Sequence, residues 1–170
     1  MRVIAFSLLV IMICNTPGMA RLQDNILQSR VRYGNPVESL DDLVSPILHG
    51  AENKTYHYRG WIIRAAFSGN KTIRIQYEKK TGHPGGQAIS DTELHGILNN
   101  EKGNGTWTID HSDRNPYAIS LLNLVKPPIK WINSNGCMAC LINNRTILIL
   151  DTPQSQNFKI LDRTQKRSSR

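Results

Sequence analysis

The chain has 170 residues, of which 39% are hydrophobic, 6% aromatic and 20% charged, with a formal net charge of +8. That length suits one domain with a real hydrophobic core, since a chain of about 150 residues buries roughly two thirds of its unfolded surface. The excess charge is spread over faces and loops or gathered at the end, where Arg163, Lys166, Arg167 and Arg170 stand against Asp162, so no specific nucleic-acid binding is expected.

Met1-Arg2, the apolar run 3–14 and Asn15-Thr16-Pro17-Gly18-Met19-Ala20 have the three parts of a secretory signal peptide, with cleavage expected after Ala20. The apolar run is short of the roughly 20 residues that a membrane-spanning helix needs. A lipid anchor through Cys14 is disfavoured because Ile13 stands where a small residue is expected. The expected organisation is a signal peptide over 1–20, one domain over 21–155 and a loose basic tail over 156–170. The expected location is secreted or periplasmic.

Leu22, Ile26, Leu27 and Val31 fall near helical spacing, and Gly34-Asn35-Pro36 supplies a left-handed cap followed by a block. Residues 37–48 are ambiguous, with a short helix allowed from Ser39 and stopped by Pro46. Residues 50–54 read as a loop. The clearest signal follows. Residues 56–67, a turn at Ser68-Gly69-Asn70-Lys71 and residues 72–79 read as one β-hairpin, with Trp61, Ile63, Ala65, Phe67, Ile73, Ile75 and Tyr77 at period two on one side. Arg74, Gln76 and Glu78 take the opposite face. Tyr58, Arg64, Arg74 and Gln76 are the candidate ligand-facing surface.

Residues 81–87 read as a connection unlike a phosphate loop, lacking its Lys-Ser/Thr pair. Ser90 and Glu93 have capping-box spacing and Ile89 can staple onto Leu94, so a helix is expected from Asp91 to about Asn99 with Leu94, Ile97 and Leu98 inward. Residues 106–109 read as a strand, and 117–125 as an apolar run of unsettled structure. Residues 129–132, 137–142 and 146–150 read as three antiparallel strands, with Asn135-Gly136 a type I′ hairpin signal. Together these give an α+β fold: an antiparallel sheet built from hairpins with a helix packed on one face, plus an N-terminal helix.

Arg32-Tyr33-Gly34-Asn35-Pro36, Tyr58-Arg59-Gly60-Trp61-Ile62-Ile63, Ile89-Ser90-Asp91-Thr92-Glu93-Leu94, Trp107, Trp131 and Asn135-Gly136, in that order, resemble small secreted bacterial proteins of uncharacterised function. The resemblance covers most of the mature chain, implies export and an α+β sheet, and carries no catalytic residue. More distantly, the order of helix, Gly-x-Pro and hairpin is similar to small periplasmic domains of outer-membrane assembly lipoproteins and to β-lactamase-inhibitor-like repeats, which are binding modules.

Several groups invite a chemical reading. Cys137-Met138-Ala139-Cys140 has redox-pair spacing, but it falls within an expected strand rather than at a helix start, with its side chains on opposite faces and no second pair to complete a zinc site. Strand packing and a bulge-permitted local disulfide both fit. Asp110-His111-Ser112-Asp113 gathers an acid, a base and a hydroxyl, yet neighbours in a loop rarely converge as catalytic groups do. His57 with Glu78 and His83 with His95 are further pairings whose distances the sequence leaves open. Asn53, Asn70, Asn104 and Asn144 begin Asn-x-Ser/Thr sequences and read as turn residues, or as glycan acceptors in a eukaryotic secretory chain. Trp61, Trp107 and Trp131 with Tyr56, Tyr58 and Tyr77 fit a sheet core better than a ligand surface.

The expected function is therefore that of a small exported binding or structural protein without catalytic activity or cofactor, acting on an unknown protein or envelope component. The alternative is a small exported hydrolase using the 110–113 loop. The basic tail adds a route to anionic surfaces.

Overall fold

The computed structural model describes residues 22–80, 88–111, 129–143 and 147–157. Within it the run 56–67 is two strands rather than one. Arg59 and Gly60 both hold positive φ, 47° and 84°, the geometry of a two-residue type I′ turn whose twist matches paired strands. They separate β1 (Glu52–Tyr58) from β2 (Trp61–Ser68). Gly69 and Asn70 repeat the same turn, with φ 54° and 60°, and lead into β3 (Lys71–Lys79). Gly60 is thus the punctuation that the strand pattern conceals, and the expected hairpin is a three-stranded meander.

Four more strands complete a seven-stranded antiparallel sheet: β4 (Trp107–Ile109), β5 (Ile129–Asn133), β6 (Met138–Asn143) and β7 (Ile147–Asp151). The spatial order is β1-β2-β3-β7-β6-β5-β4. The last strand therefore slots beside β3, and the order then runs backwards to β4 at the far edge. The loop between β5 and β6 differs from expectation. Only Gly136 there has positive φ, at 79°, and the Gly136 amide donates to the Asn133 carbonyl at 2.8 Å, so an ordinary turn ends in a left-handed glycine in place of a type I′ turn.

Among the described residues three helices flank the sheet: α1 (Ile26–Tyr33), α2 (Leu40–Val44) and α3 (Asp91–Glu101). The capping box at Ser90 and Glu93 forms as its spacing predicts. Glu93 also accepts from Lys79 Nζ at 2.9 Å, which joins the start of α3 to the end of β3 and holds the Glu93 carboxyl down at about 2. Leu94, Ile97 and Leu98 pack with Ile63, Ile75, Tyr77, Leu148 and Leu150, so α3 covers the expected apolar face. Tyr33 of α1 joins the same cluster beside Tyr56 and Tyr58. Trp131 is buried there, and Trp61 and Trp107 lie half-buried against it, all three as parts of the core.

The opposite face is also covered in part. A bulge between Ala66 and Phe67 sets Ala66 opposite Arg74 and Phe67 opposite Thr72. Ile73 is the extra residue, and it joins Ala66 and Leu48 in a second cluster rather than the row of Ile75 and Tyr77. Leu48 belongs to the segment that follows α2, and a helical turn over 153–157 follows β7. The tail from 158 onward lies outside the described residues.

Arg74 ties these pieces together. Its Nε donates to Asp151 Oδ1 at 2.5 Å and its Nη2 to Oδ2 at 3.1 Å, while Nη1 donates to the Ile47 carbonyl at 2.5 Å. Ser155 Oγ, in the 153–157 turn, donates to the same carboxylate at 3.2 Å. Asp151→Asn leaves a buried guanidinium without its counter-charge, so urea denaturation is expected to show a loss of about 3–5 kcal/mol, and pairing Arg74→Met with Asp151→Leu should recover most of it. Gly105 gives a second test. A Cβ there would lie 1.9 Å from Asn133 Oδ1. That side chain cannot give way cheaply, because it accepts from the Asn135 amide at 2.9 Å and donates to the Lys102 carbonyl at 3.2 Å. Gly105→Ala is expected to cost about 1–3 kcal/mol in the same measurement.

Candidate functional site

The sequence-derived surface does not assemble as one open patch. Tyr58 lies directly opposite Trp61, on the face that α1 and α3 cover, and its ring meets Tyr33 edge-on at 5.7 Å. Arg64, Arg74 and Gln76 do share the other face. There Arg74 is buried in its ion pair, and Arg64 reaches under α2 to the carbonyls of Asp41 and Ser45 at 3.1 and 2.7 Å. Gln76 is half-buried between Arg64 and Ile149. Both arginines therefore act as internal ties, which a sequence with no view of the segment 40–51 folding over them cannot reveal.

The other candidates are dispersed. His57 and Glu78 both align with Ile62, so a whole strand separates them by about 10 Å. His95 is exposed on α3, and His83 lies outside the described residues. The Asp110 amide bonds to the Lys130 carbonyl and His111 is exposed, while Ser112 and Asp113 lie outside the described residues. Cys137 and Cys140 are both free, as a strand with the two thiols on opposite faces requires, and burial raises both thiols. Asn53 is in β1 rather than a loop, and its amide group donates to the carbonyls of Leu48 and Ala51. Asn70 and Asn104 are in turns as expected, and Asn144 lies outside the described residues. Among the described residues no cluster of three His, Cys, Asp or Glu side chains is placed to hold a metal ion. A shallow cleft of about 430 Å³ is lined by Ser68, Gly69, Lys71, Gln154 and Asn157, with Lys71 the one charged group among them.

What the sequence does not reveal is a buried acid. Glu101, the last residue of α3, is only 5% exposed. Its Oε1 accepts from the Tyr77 hydroxyl at 2.7 Å and its Oε2 from the Leu22 amide at 2.9 Å. Tyr77 and Tyr33 hydroxyls lie 3.2 Å apart, which extends the chain of polar groups through the core to α1. Burial pushes the Glu101 carboxyl up to about 8 against the two hydrogen bonds, and the same burial with the Glu101 charge drives both tyrosines well above their ordinary range. Its place at the carboxyl end of a helix, where free carbonyls already point, is a poor one for negative charge. Arg32 does not neutralise it: its Nη2 pairs with Asp24 at 2.8 Å, and its Nε and Nη1 have no partner among the described residues. Tyr56 Oη is likewise buried without a partner among them, and burial raises that hydroxyl to about 12. A glutamate amid polar neighbours at a helix end carries no burial signal in sequence, since its burial comes from the N-terminal segment crossing over it.

In a chain that keeps residues ahead of Leu22, the fold favours protonated Glu101, whose value is about 8 folded against an ordinary 4.5. The folded form retains a proton across that window which the unfolded chain gives up. The stabilisation is therefore complete below about pH 4.5, declines as pH rises towards 8 and is flat above it. Glu101→Gln is expected to remove this decline, read as urea midpoints at a series of pH values, and an unchanged slope in the variant would count against the assignment. No family model, no curated protein and no solved structure matches this chain, so the site is defined by its own residues.

Proposed function

We propose that this is a small exported binding protein that engages a protein partner through apolar side chains displayed along the β1 edge of its sheet. The observation that carries the reading is an inversion in the two helices beside that strand. α1 buries Ser29 and Tyr33 but turns Leu27 and Val31 outward, 66% and 91% exposed and one helical turn apart. α2 buries none of its residues and exposes Leu40, Leu43 and Val44 to about the same degree, at i, i+3 and i+4. The linker between the helices runs along the edge, where Val37 bridges Thr55 of β1. Two apolar stripes facing solvent at one edge are the composition expected of a contact surface, whereas scattered single residues would need no explanation.

Export is part of the proposal and is supported by the leader-like residues 1–20 and by the resemblance to small secreted bacterial proteins. No helix among the described residues is long and apolar enough to cross a membrane. A partner that is itself a protein of the envelope or of the outside medium fits this reading, with the basic tail as an auxiliary contact to anionic surfaces.

Leu27→Asp with Val31→Asp, and Leu40→Asp with Leu43→Asp, change exposed positions and are expected to leave stability within about 0.5 kcal/mol. Each pair should abolish stoichiometric cross-linking to the partner captured by the native protein in its own compartment. Equal capture by native and variant proteins would sink the reading, as would a hydrolytic activity on an ester or peptide panel that His111→Ala removes.

A further inference from the structure

The two apolar stripes beside β1 carry charges of opposite sign. On α1, Arg30 is exposed one helical turn from Leu27, and the helix contains no acid. The Arg59 guanidinium lies 5.2 Å from the centre of the Tyr58 ring, which in turn meets Tyr33 at the end of α1. On α2, Asp41 is exposed one turn before Val44, Glu38 is exposed just ahead of the helix, and the helix contains no base. The other charges of the two helices are taken up within the chain, Arg32 by Asp24 and Asp42 by Thr55 and Arg64. Arg30, Arg59, Glu38 and Asp41 enter no ion pair among the described residues.

The two helices also lie on opposite faces of the sheet. α1 packs Tyr33 against Tyr56 and Tyr58, whereas α2 meets the other face, where Thr55 Oγ1 donates to Asp42 Oδ1 at 2.8 Å and Arg64 reaches the Asp41 carbonyl. Between them the Val37 amide donates to the Thr55 carbonyl at 2.8 Å, so the middle of the β1 edge is occupied and a partner strand does not extend the sheet there. Contact falls to the helices. A matching partner offers apolar surface with acidic groups to α1 and apolar surface with basic groups to α2, and this chain carries both. We propose that the partner at the β1 edge is a second copy of this chain, related to the first by a two-fold axis that runs along β1.

The distribution of charge selects that axis. Rotation about a line along β1 exchanges the faces of the sheet, so α1 of each copy lies beside α2 of the other and the patch is self-complementary. The bases Arg30 and Arg59 then meet the acids Glu38 and Asp41 at two equivalent contacts. A two-fold axis perpendicular to the sheet keeps each face on its own side and sets α1 beside α1, with like charges together, which opposes association. Leu27, Val31, Leu40, Leu43 and Val44 supply the attraction, and the charges fix the orientation. Leucine and valine contribute less per residue than aromatic anchors, so the dimer is reversible, with a dissociation constant on the order of 1–100 μM.

This inference rests on the reading of the β1 edge as a protein-binding surface and names its partner. Sedimentation equilibrium of the native protein is expected to show a reversible monomer–dimer equilibrium, and a monomer at every concentration up to about 500 μM overturns the proposal. Arg30→Glu with Arg59→Glu makes both helices acidic, and Glu38→Lys with Asp41→Lys makes both basic. Each double variant alone is expected to self-associate at least about tenfold more weakly than the native chain, whereas an equimolar mixture of the two recovers a heterodimer within about threefold of native affinity. Urea midpoints show whether each variant is folded. Should a reversal unfold the chain, Arg30→Gln with Arg59→Gln removes the charge without inverting it and is expected to weaken self-association at low salt. Unchanged self-association of any of these variants, or a mixture that associates no better than its components, overturns the proposal. A native protein that stays monomeric while its apolar stripes still capture a different protein overturns the second copy as partner and leaves the reading of the edge standing.

Discussion

The fold depends on the seam between β3 and β7. Arg74 stands directly opposite Asp151 in that seam although 77 residues separate them in the chain. Among the described strands every other pairing joins neighbours in sequence, and the β3–β7 pairing unites β1–β3 with β4–β7. It is specified from both sides. On one face the two-pronged ion pair fixes Arg74 against Asp151, and on the other Tyr77 lies opposite Leu148 and reaches Glu101. A slip by one residue would turn the guanidinium into the apolar cluster and Ile75 away from it, so the wrong register is opposed by charge burial as well as by lost packing.

Local patterns carry most of the architecture into the sequence. The alternation around Trp61 to Tyr77, the Ser90 and Glu93 box and the Asn-Gly turn each have a cause confined to a few residues, and each lies at or within a residue or two of an observed element. The errors have the same character. Gly60 is absorbed into a strand because strand-favouring residues flank it on both sides, and the two-residue turn there inverts the alternation, which puts Tyr58 on the face of Trp61 rather than on the opposite one. Ile73 falls on the wrong face because a bulge adds one residue to one strand and leaves no mark in the pattern. The four residues of the candidate surface do not form one open patch for a different reason. Polar residues on a strand read as wet, and whether they are wet depends on what the chain lays over them, here the segment 40–51 and the turn 153–157.

That limit applies most strongly to Glu101. Its burial requires three separate pieces, the end of α3, the middle of β3 and the residues before α1, and no two of them are close in sequence. The result is costly in isolation, since a carboxyl held in an apolar setting at a helix carboxyl end resists ionisation from two directions. Replacing the glutamate, both tyrosines and the amide contact by apolar side chains would relieve that cost. What it would remove is the anchor at Leu22, leaving the bonds of Gln23 and Asp24 to Thr72 to hold the N-terminal segment.

The inverted helix α1 follows from the same arrangement. Tyr33 must enter the core to reach Tyr77, and Asp24 must sit at Thr72 to set Leu22 against Glu101. Those two anchors fix the rotation of the helix between them. With Tyr33 inward, Ser29 one turn earlier is inward too, and Leu27 and Val31 are left on the outer side whatever their hydrophobicity. The exposed stripe is thus a consequence of the buried polar chain. The apolar surface at the β1 edge and the buried chain of Tyr33, Tyr77 and Glu101 are linked through one helix rotation, so any change that disturbs the Tyr33–Tyr77–Glu101 contacts also turns the surface that α1 presents.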